Sequence, residues 1–158
     1  MKILITSFWN PKNTKYSREY FFGLNSLLSG QHELFLITVY DTDEVYKEKI
    51  EGLKKASFYC FKNDFTHLLI LNEGMVLKKE DFDKICSSKR TVSLSTKDTL
   101  NCSLIKSALL RNYPFIYAGE FSSPDRMWLK LLKQKGVKTS FIGGIKPVYL
   151  DNVVCTTT

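Results

Sequence analysis

The chain has 158 residues, of which 44% are apolar and 25% charged, with a formal net charge of +7. These values fit a folded domain with its own core, and they exclude a disordered chain; no apolar run approaches the roughly 20 residues of a membrane-spanning helix. The positive balance favours anionic partners such as nucleotide phosphates, nucleic acid or acidic lipid headgroups, but twelve of the 23 Lys and Arg lie from residue 80 onward and eleven before it, an even spread that reads as a solvated surface.

In chain order, residues 2–8, KILITSF, predict a short buried strand, and WNPKNTK predicts a loop. Residues 17–28, SREYFFGLNSLL, repeat apolar groups at helical spacing, with Ser17 as a cap and Gly30 past the end. Residues 33–40, ELFLITVY, predict a second strand. Asp41 or Thr42 then caps a helix from about Glu44 to Lys55, with Val45, Tyr46, Ile50 and Leu53 inward. THLLIL, residues 66–71, predicts a third strand, and a helix runs from Lys79 or Glu80 through Cys86. Its first turn carries Glu80 and Asp81, which suits the positive end of a helix. RTVSLST (90–96) and CSLIK (102–106) predict further strands, and FIYAGEF (115–121) an extended segment.

The best-marked helix of the second half is SSPDRMWLKLLKQKG. Ser123 is its N-cap, Pro124 takes the first helical position, and Gly136 ends it. Trp128, Leu129, Leu131 and Leu132 supply its apolar face. VKTSFI and PVYL (147–150) read as the last strands. Alternating strands and helices predict one α/β domain over residues 1–150 with a largely parallel sheet flanked by helices, followed by a tail at 151–158.

Open α/β sheets bind ligands beyond the carboxyl ends of their strands. The candidates are Thr6, Ser7 and Phe8, then Asp41 and Asp43, then Asn72 and Glu73. Acidic groups gathered there hold a ribose, a base edge or a metal with oxygen ligands, although Asp41 and Asp43 are equally well placed as helix caps. No Gly-rich phosphate loop follows the first strand, and no Gly-x-Ser-x-Gly elbow occurs. His32 and His67, the two histidines, read as core or surface residues. Cys60, Cys86, Cys102 and Cys155 match no zinc spacing; they read as thiols in a reducing compartment, or as a disulfide in a hyperthermophile or its virus. With no signal peptide apparent, the expected location is the cytoplasm.

Three stretches together resemble the inverting glycosyltransferases of the GT-A fold, family 2 in particular. Residues 3–41 match a first strand, loop, helix and second strand that closes on an aspartate; Asp41 takes that place, and Ser7 follows the first strand. In THLLILNEGMVLKKEDFDKI, Leu71 matches the leucine of a Leu-Asp-x-Asp motif. Asn72 and Gly74 replace its two aspartates, with Glu73 between them. In residues 123–142, Asp125, Trp128 and Gly136 reproduce the spacing of a helix-start aspartate, a leucine three residues on and a glycine eleven residues on. Pro124 replaces the usual glutamate, and Tyr149 falls near the place of the usual final histidine.

The resemblance implies transfer of a sugar from a UDP- or GDP-sugar to a glycan, protein or lipid hydroxyl, with inversion. Asp125 is the implied general base, Ser7 and Asp41 the nucleotide contacts, and Asn72 and Glu73 the residues beside the sugar and diphosphate. Two treatments of the diphosphate stay open. One is a weak Mg²⁺ or Mn²⁺ site with Glu73 as its carboxylate; the other is a metal-independent site with lysines at the phosphates. The small size implies a minimal site, completed by a partner or a second copy, and fits a compact microbial or viral enzyme, placed in the host cytoplasm if viral. The rival readings are a non-catalytic GT-A-like domain that binds a nucleotide or glycan, and a basic α/β protein that binds nucleic acid.

Overall fold

The computed structural model describes residues 1–12, 15–95, 99–115 and 124–150. Strand and helix alternate through the first half as β1 (Ile3–Trp9), α1 (Ser17–Asn25), β2 (Glu33–Thr38), α2 (Val45–Lys62) and β3 (His67–Leu71). The second half is more broken, with β4 (Met75–Val76), α3 (Lys79–Cys86), β5 (Val92–Leu94), β6 (Cys102–Lys106) and α4 (Ser107–Asn112). It continues with α5 (Pro124–Gln134), β7 (Ser140–Phe141) and β8 (Val148–Tyr149). Six strands form one sheet in the order β2-β1-β3-β6-β5-β7, and β4 pairs with β8 in a separate antiparallel ribbon. Only β6 runs against its neighbours; the other pairings in the sheet are parallel. The expected mixed, largely parallel α/β sheet with β3 inside is the observed architecture.

Helices cover both faces. Leu4 and Phe8 of β1 and Leu68 and Ile70 of β3 pack into a core shared with α2, α4 and α5. Ile3 and Ile5, with Leu69 and Leu71, point the other way into a core shared with α1 and α3. This double coverage explains why β3 is buried at every position and why its sequence shows no polar alternation. Each fully buried aliphatic side chain there contributes roughly 1.5–3 kcal/mol. Helix α2 lies very close to β2, because a Cβ on Gly52 would run into Cγ2 of Ile37.

Gly136 lies just past α5 at φ +76°, a left-handed conformation that suits glycine, but α1 ends at Asn25, short of Leu28 and Gly30, and the cap positions of α1 and α2 are Tyr16 and Glu44 rather than Ser17 and Asp41 or Thr42. Helix α2 runs on to Lys62 rather than stopping near Lys55, since Ala56 and Cys60 extend its buried stripe. Strands β5 and β7 are shorter than their apolar runs. Ser123, residues 116–121 of FIYAGEF and the 151–158 tail lie outside the described residues. Cys60, Cys86 and Cys102 are free thiols, and burial pushes Cys60 up to about 12 and Cys102 up to about 11. No helix among the described residues is long and apolar enough to cross a membrane.

His67 opens β3 in a buried position opposite Lys106, its Nδ1 2.8 Å from Thr66 Oγ1. Burial, reinforced by the charges of Lys106 and the N-terminus, pulls its pKa from 6.5 down to about 4. The unfolded chain therefore takes up a proton between those two values that the folded chain refuses. The stability this represents is present above pH 6.5 and is lost as pH falls through about 4. Over that range, urea unfolding of the parent is expected to lose up to about 3 kcal/mol more than His67→Gln; parallel pH profiles would show that His67 is not the titrating group.

Candidate active site

At the carboxyl ends of β1 and β3 the sheet opens into a cleft of about 480 Å³. Its floor is apolar, built from Phe8, Ile70, Leu100, and Ile50 and Leu53 of α2. Its polar wall comes from three places. Tyr46 and Lys49 come from the start of α2, and Asn72, Thr99 and Asn101 come from the turns beyond β3 and before β6. Asp125 and Arg126 come from the first turn of α5. Both helices begin at the cleft, so their positive dipole ends add to the charges of Lys49 and Arg126. Lys49 Nζ also lies 5.3 Å from the centre of the Phe8 ring, a cation–π arrangement that holds the ammonium over the floor.

The bend after β3 is clamped from two sides. Asn72 N–H donates to Asn101 O at 2.8 Å, and Met75 N–H donates to Asn72 O at 3.1 Å. Gly74 turns the chain at φ +72° and accepts from Leu150 N–H at 3.0 Å. Ribbon pairing places Tyr149 opposite Met75, with its phenol on the side of Asn72 and Asn101. Burial pushes that phenol's pKa up, and the Asn72 and Asn101 side chains draw it partly back. The Asn72 backbone is therefore held at both its N–H and its carbonyl.

The residues singled out in the sequence separate into groups. Asn72 and Asp125 share the cleft. Asp125 Oδ2 accepts from Leu100 N–H at 3.2 Å and Oδ1 from Arg126 N–H at 3.0 Å, tying α5 to the turn before β6. Its helix is anchored by Trp128, whose Nε1 donates to Tyr113 O at 2.9 Å, with Leu129 and Leu132 buried and Leu131 half-buried. Glu73 instead lines a narrow pocket with Trp9, Asn10, Tyr16 and Tyr20. Ser7 is fully buried on the α1 side, its hydroxyl bonded to Tyr20 OH, which donates to Phe8 O at 2.9 Å. Burial pushes Tyr20 up to about 12, with the Ser7 bond opposing and the charge of Glu73 adding. Asp41 is exposed just past β2 and is not part of the cleft wall.

Lys49, Arg126, Tyr46 and Asn101 were not singled out from sequence. Arg126 had a usable signal, since it adjoins the candidate base. Lys49 had none, because a lysine on an amphipathic helix is ordinary. For a metal the donor set fits poorly. Among the described residues no three His, Cys, Asp or Glu side chains gather. The cleft wall offers one carboxylate beside two cations, whereas Mg²⁺ and Mn²⁺ favour oxygen ligands with compensating negative charge.

No protein-family model matches the sequence, and no curated protein does. The fold is similar to that of a mutant of Drosophila β1,4-galactosyltransferase 7 solved with manganese, UDP-Gal and xylobiose. The TM-score is 0.65 at 8% identity, covering 98% of this chain and 73% of that one. It is also similar to A197 from STIV, with a TM-score of 0.59 at 14% identity, covering 95% of this chain and 86% of that one. At these identities the likeness establishes the fold, a GT-A-like glycosyltransferase fold.

Replacing Tyr149 with Phe removes the hydroxyl beside Asn72 and Asn101 and tests whether it helps to hold the bend. Unfolding stability is expected to fall by about 1 kcal/mol, and the Asn72 and Leu150 amides to exchange faster than in the parent. Unchanged exchange at both amides would show that the ribbon alone holds the bend.

Proposed function

We propose that the protein transfers a sugar from a UDP- or GDP-sugar to an acceptor hydroxyl, with inversion at the anomeric carbon. The supporting observation is the composition of a single cleft, a carboxylate, two cations and two amides over an apolar floor, at the carboxyl edge of a GT-A-like sheet. Transfer needs the departing diphosphate stabilised and the acceptor hydroxyl deprotonated in a fixed geometry. Lys49, Arg126 and the two helix ends meet the diphosphate. Asn72 holds a sugar hydroxyl, Tyr46 lies at the base or ribose, and Asp41 stays outside the donor contacts. Ser7 and Glu73, on the α1 side of the sheet, make no contact with the donor in this reading.

Asp125 takes the proton from the acceptor hydroxyl. The oxygen bonds to the anomeric carbon as the bond to the diphosphate oxygen breaks on the opposite face, and one such displacement inverts the centre. A second reading, a domain that binds a nucleotide or glycan without turning it over, is favoured by one observation. Both oxygens of Asp125 already accept backbone N–H groups, so tethering alone accounts for the residue.

A thermal-shift series with UDP- and GDP-sugars, with and without Mn²⁺, tests donor binding; stabilisation by a sugar nucleotide without Mn²⁺ is expected, and no shift with any donor would end the proposal. Asp125→Asn then separates the two readings. The substitution keeps the shape and one acceptor oxygen, so stability is expected to fall by only about 1 kcal/mol and donor affinity to hold. Turnover is expected to fall about 10²–10⁴-fold. Transfer at the parent rate would leave Asp125 as a tether.

A further inference from the structure

A second concavity of about 910 Å³ runs along α5 to the sheet edge at β7. Arg126 lines both the groove and the cleft, so the two adjoin at that residue. Beyond it the groove is lined by Lys130, Lys133 and Lys138, with the hydroxyls of Thr139 and Ser140. The three lysines are exposed, and none is ion-paired among the described residues. The surrounding sequence deepens the asymmetry, since residues 126–150 contain six Lys and Arg and no Asp or Glu. A solvated helix face ordinarily intersperses both signs; here one sign fills a concave surface that adjoins the cleft.

We infer that this groove is the acceptor subsite for an acidic oligosaccharide, a chain carrying carboxylate or sulfate groups. The acceptor role rests on the transferase reading; the binding of an anionic glycan does not. Lysines meet the anionic groups, Thr139 and Ser140 meet sugar hydroxyls, and the chain runs past Arg126 to Asp125. Among the described residues no aromatic side chain lines the wall; single-stranded nucleic acid, whose binding depends on base stacking, is an outcome of the test. A concave wall also offers no flat face to a bilayer.

The test uses a heparin hexasaccharide, single-stranded DNA of similar charge, a neutral dextran oligomer and phosphatidylcholine vesicles with phosphatidylglycerol. The variant Lys130→Glu/Lys133→Glu/Lys138→Glu is compared with Lys47→Glu/Lys54→Glu/Lys62→Glu, which makes the same change in net charge on the exposed face of α2. The parent is expected to bind heparin in a salt-dependent way. The groove variant is expected to lose about tenfold or more, the α2 variant far less, with UDP-sugar binding and melting temperature unchanged in both. Equal loss in the two variants, or tighter binding of DNA, vesicles or dextran than of heparin, would overturn the assignment. Heparin binding confined to the groove, in a parent that binds no sugar nucleotide, would retain the anionic-glycan site and remove the transferase reading.

Discussion

The reversed strand β6 is the constraint on which the cleft depends. A parallel strand beside β3 would place its own start at the far edge of the sheet. Because β6 is antiparallel, Cys102 pairs with Leu71, and the turn before β6 arrives beside the end of β3. Asn101 then receives the Asn72 N–H, and Leu100 donates to Asp125. Two short hydrogen-bonded steps thus carry the rigidity of a fully buried strand to the first turn of α5. The ribbon formed by β4 and β8 closes the same bend from the opposite side. The cleft wall is drawn from distant parts of the chain, yet each part is joined to the sheet interior by backbone hydrogen bonds or buried side chains.

The electrostatics of the cleft follow from how its helices enter. Helices α2 and α5 bring positive ends to one place, each with a cationic side chain in its opening turns. An anion bound there would gain from such a fixed arrangement, because the donors need not reorganise to meet its charge. Asp125 partly offsets that field, and its backbone donors hold its carboxylate in place. The apolar floor lowers the local dielectric and strengthens each of these interactions.

Much of the fold was legible because the strongest signals are local. Strand β3 is a continuous apolar run, and α5 has a proline at its start, a glycine beyond its end and an apolar stripe between. The proximity of Asp125 and Asn72 was legible as an expectation, since both were placed at the same sheet edge. Ser7 shows the limit of such reasoning. Successive strand residues face opposite sides of a sheet, and sequence did not say that Phe8 would face the cleft while Ser7 faced Tyr20. The continuation of α2 to Lys62 was hidden because ASFYCFK mixes small and aromatic residues whose periodicity is weak. The role of Lys49 in the cleft wall depends on the direction in which α2 leaves β2, a tertiary fact.

The bend at Asn72 and Glu73 shows why its chemistry differs from a two-carboxylate motif. The two residues are adjacent in the chain, but they belong to different pockets on different sides of β1. Asn72 meets the cleft with a neutral amide. Glu73 directs its charge toward Tyr20, where it helps to keep that phenol protonated. A carboxylate placed at position 72 would put a second anion in the cleft with Asp125. It would also exchange the Asn72 amide, which can donate and accept hydrogen bonds, for a group that only accepts when ionised. The amide at 72 and the cations at 49 and 126 are therefore mutually consistent, since a neutral group beside them leaves the positive charge of the cleft offset by Asp125 alone among the residues that line it.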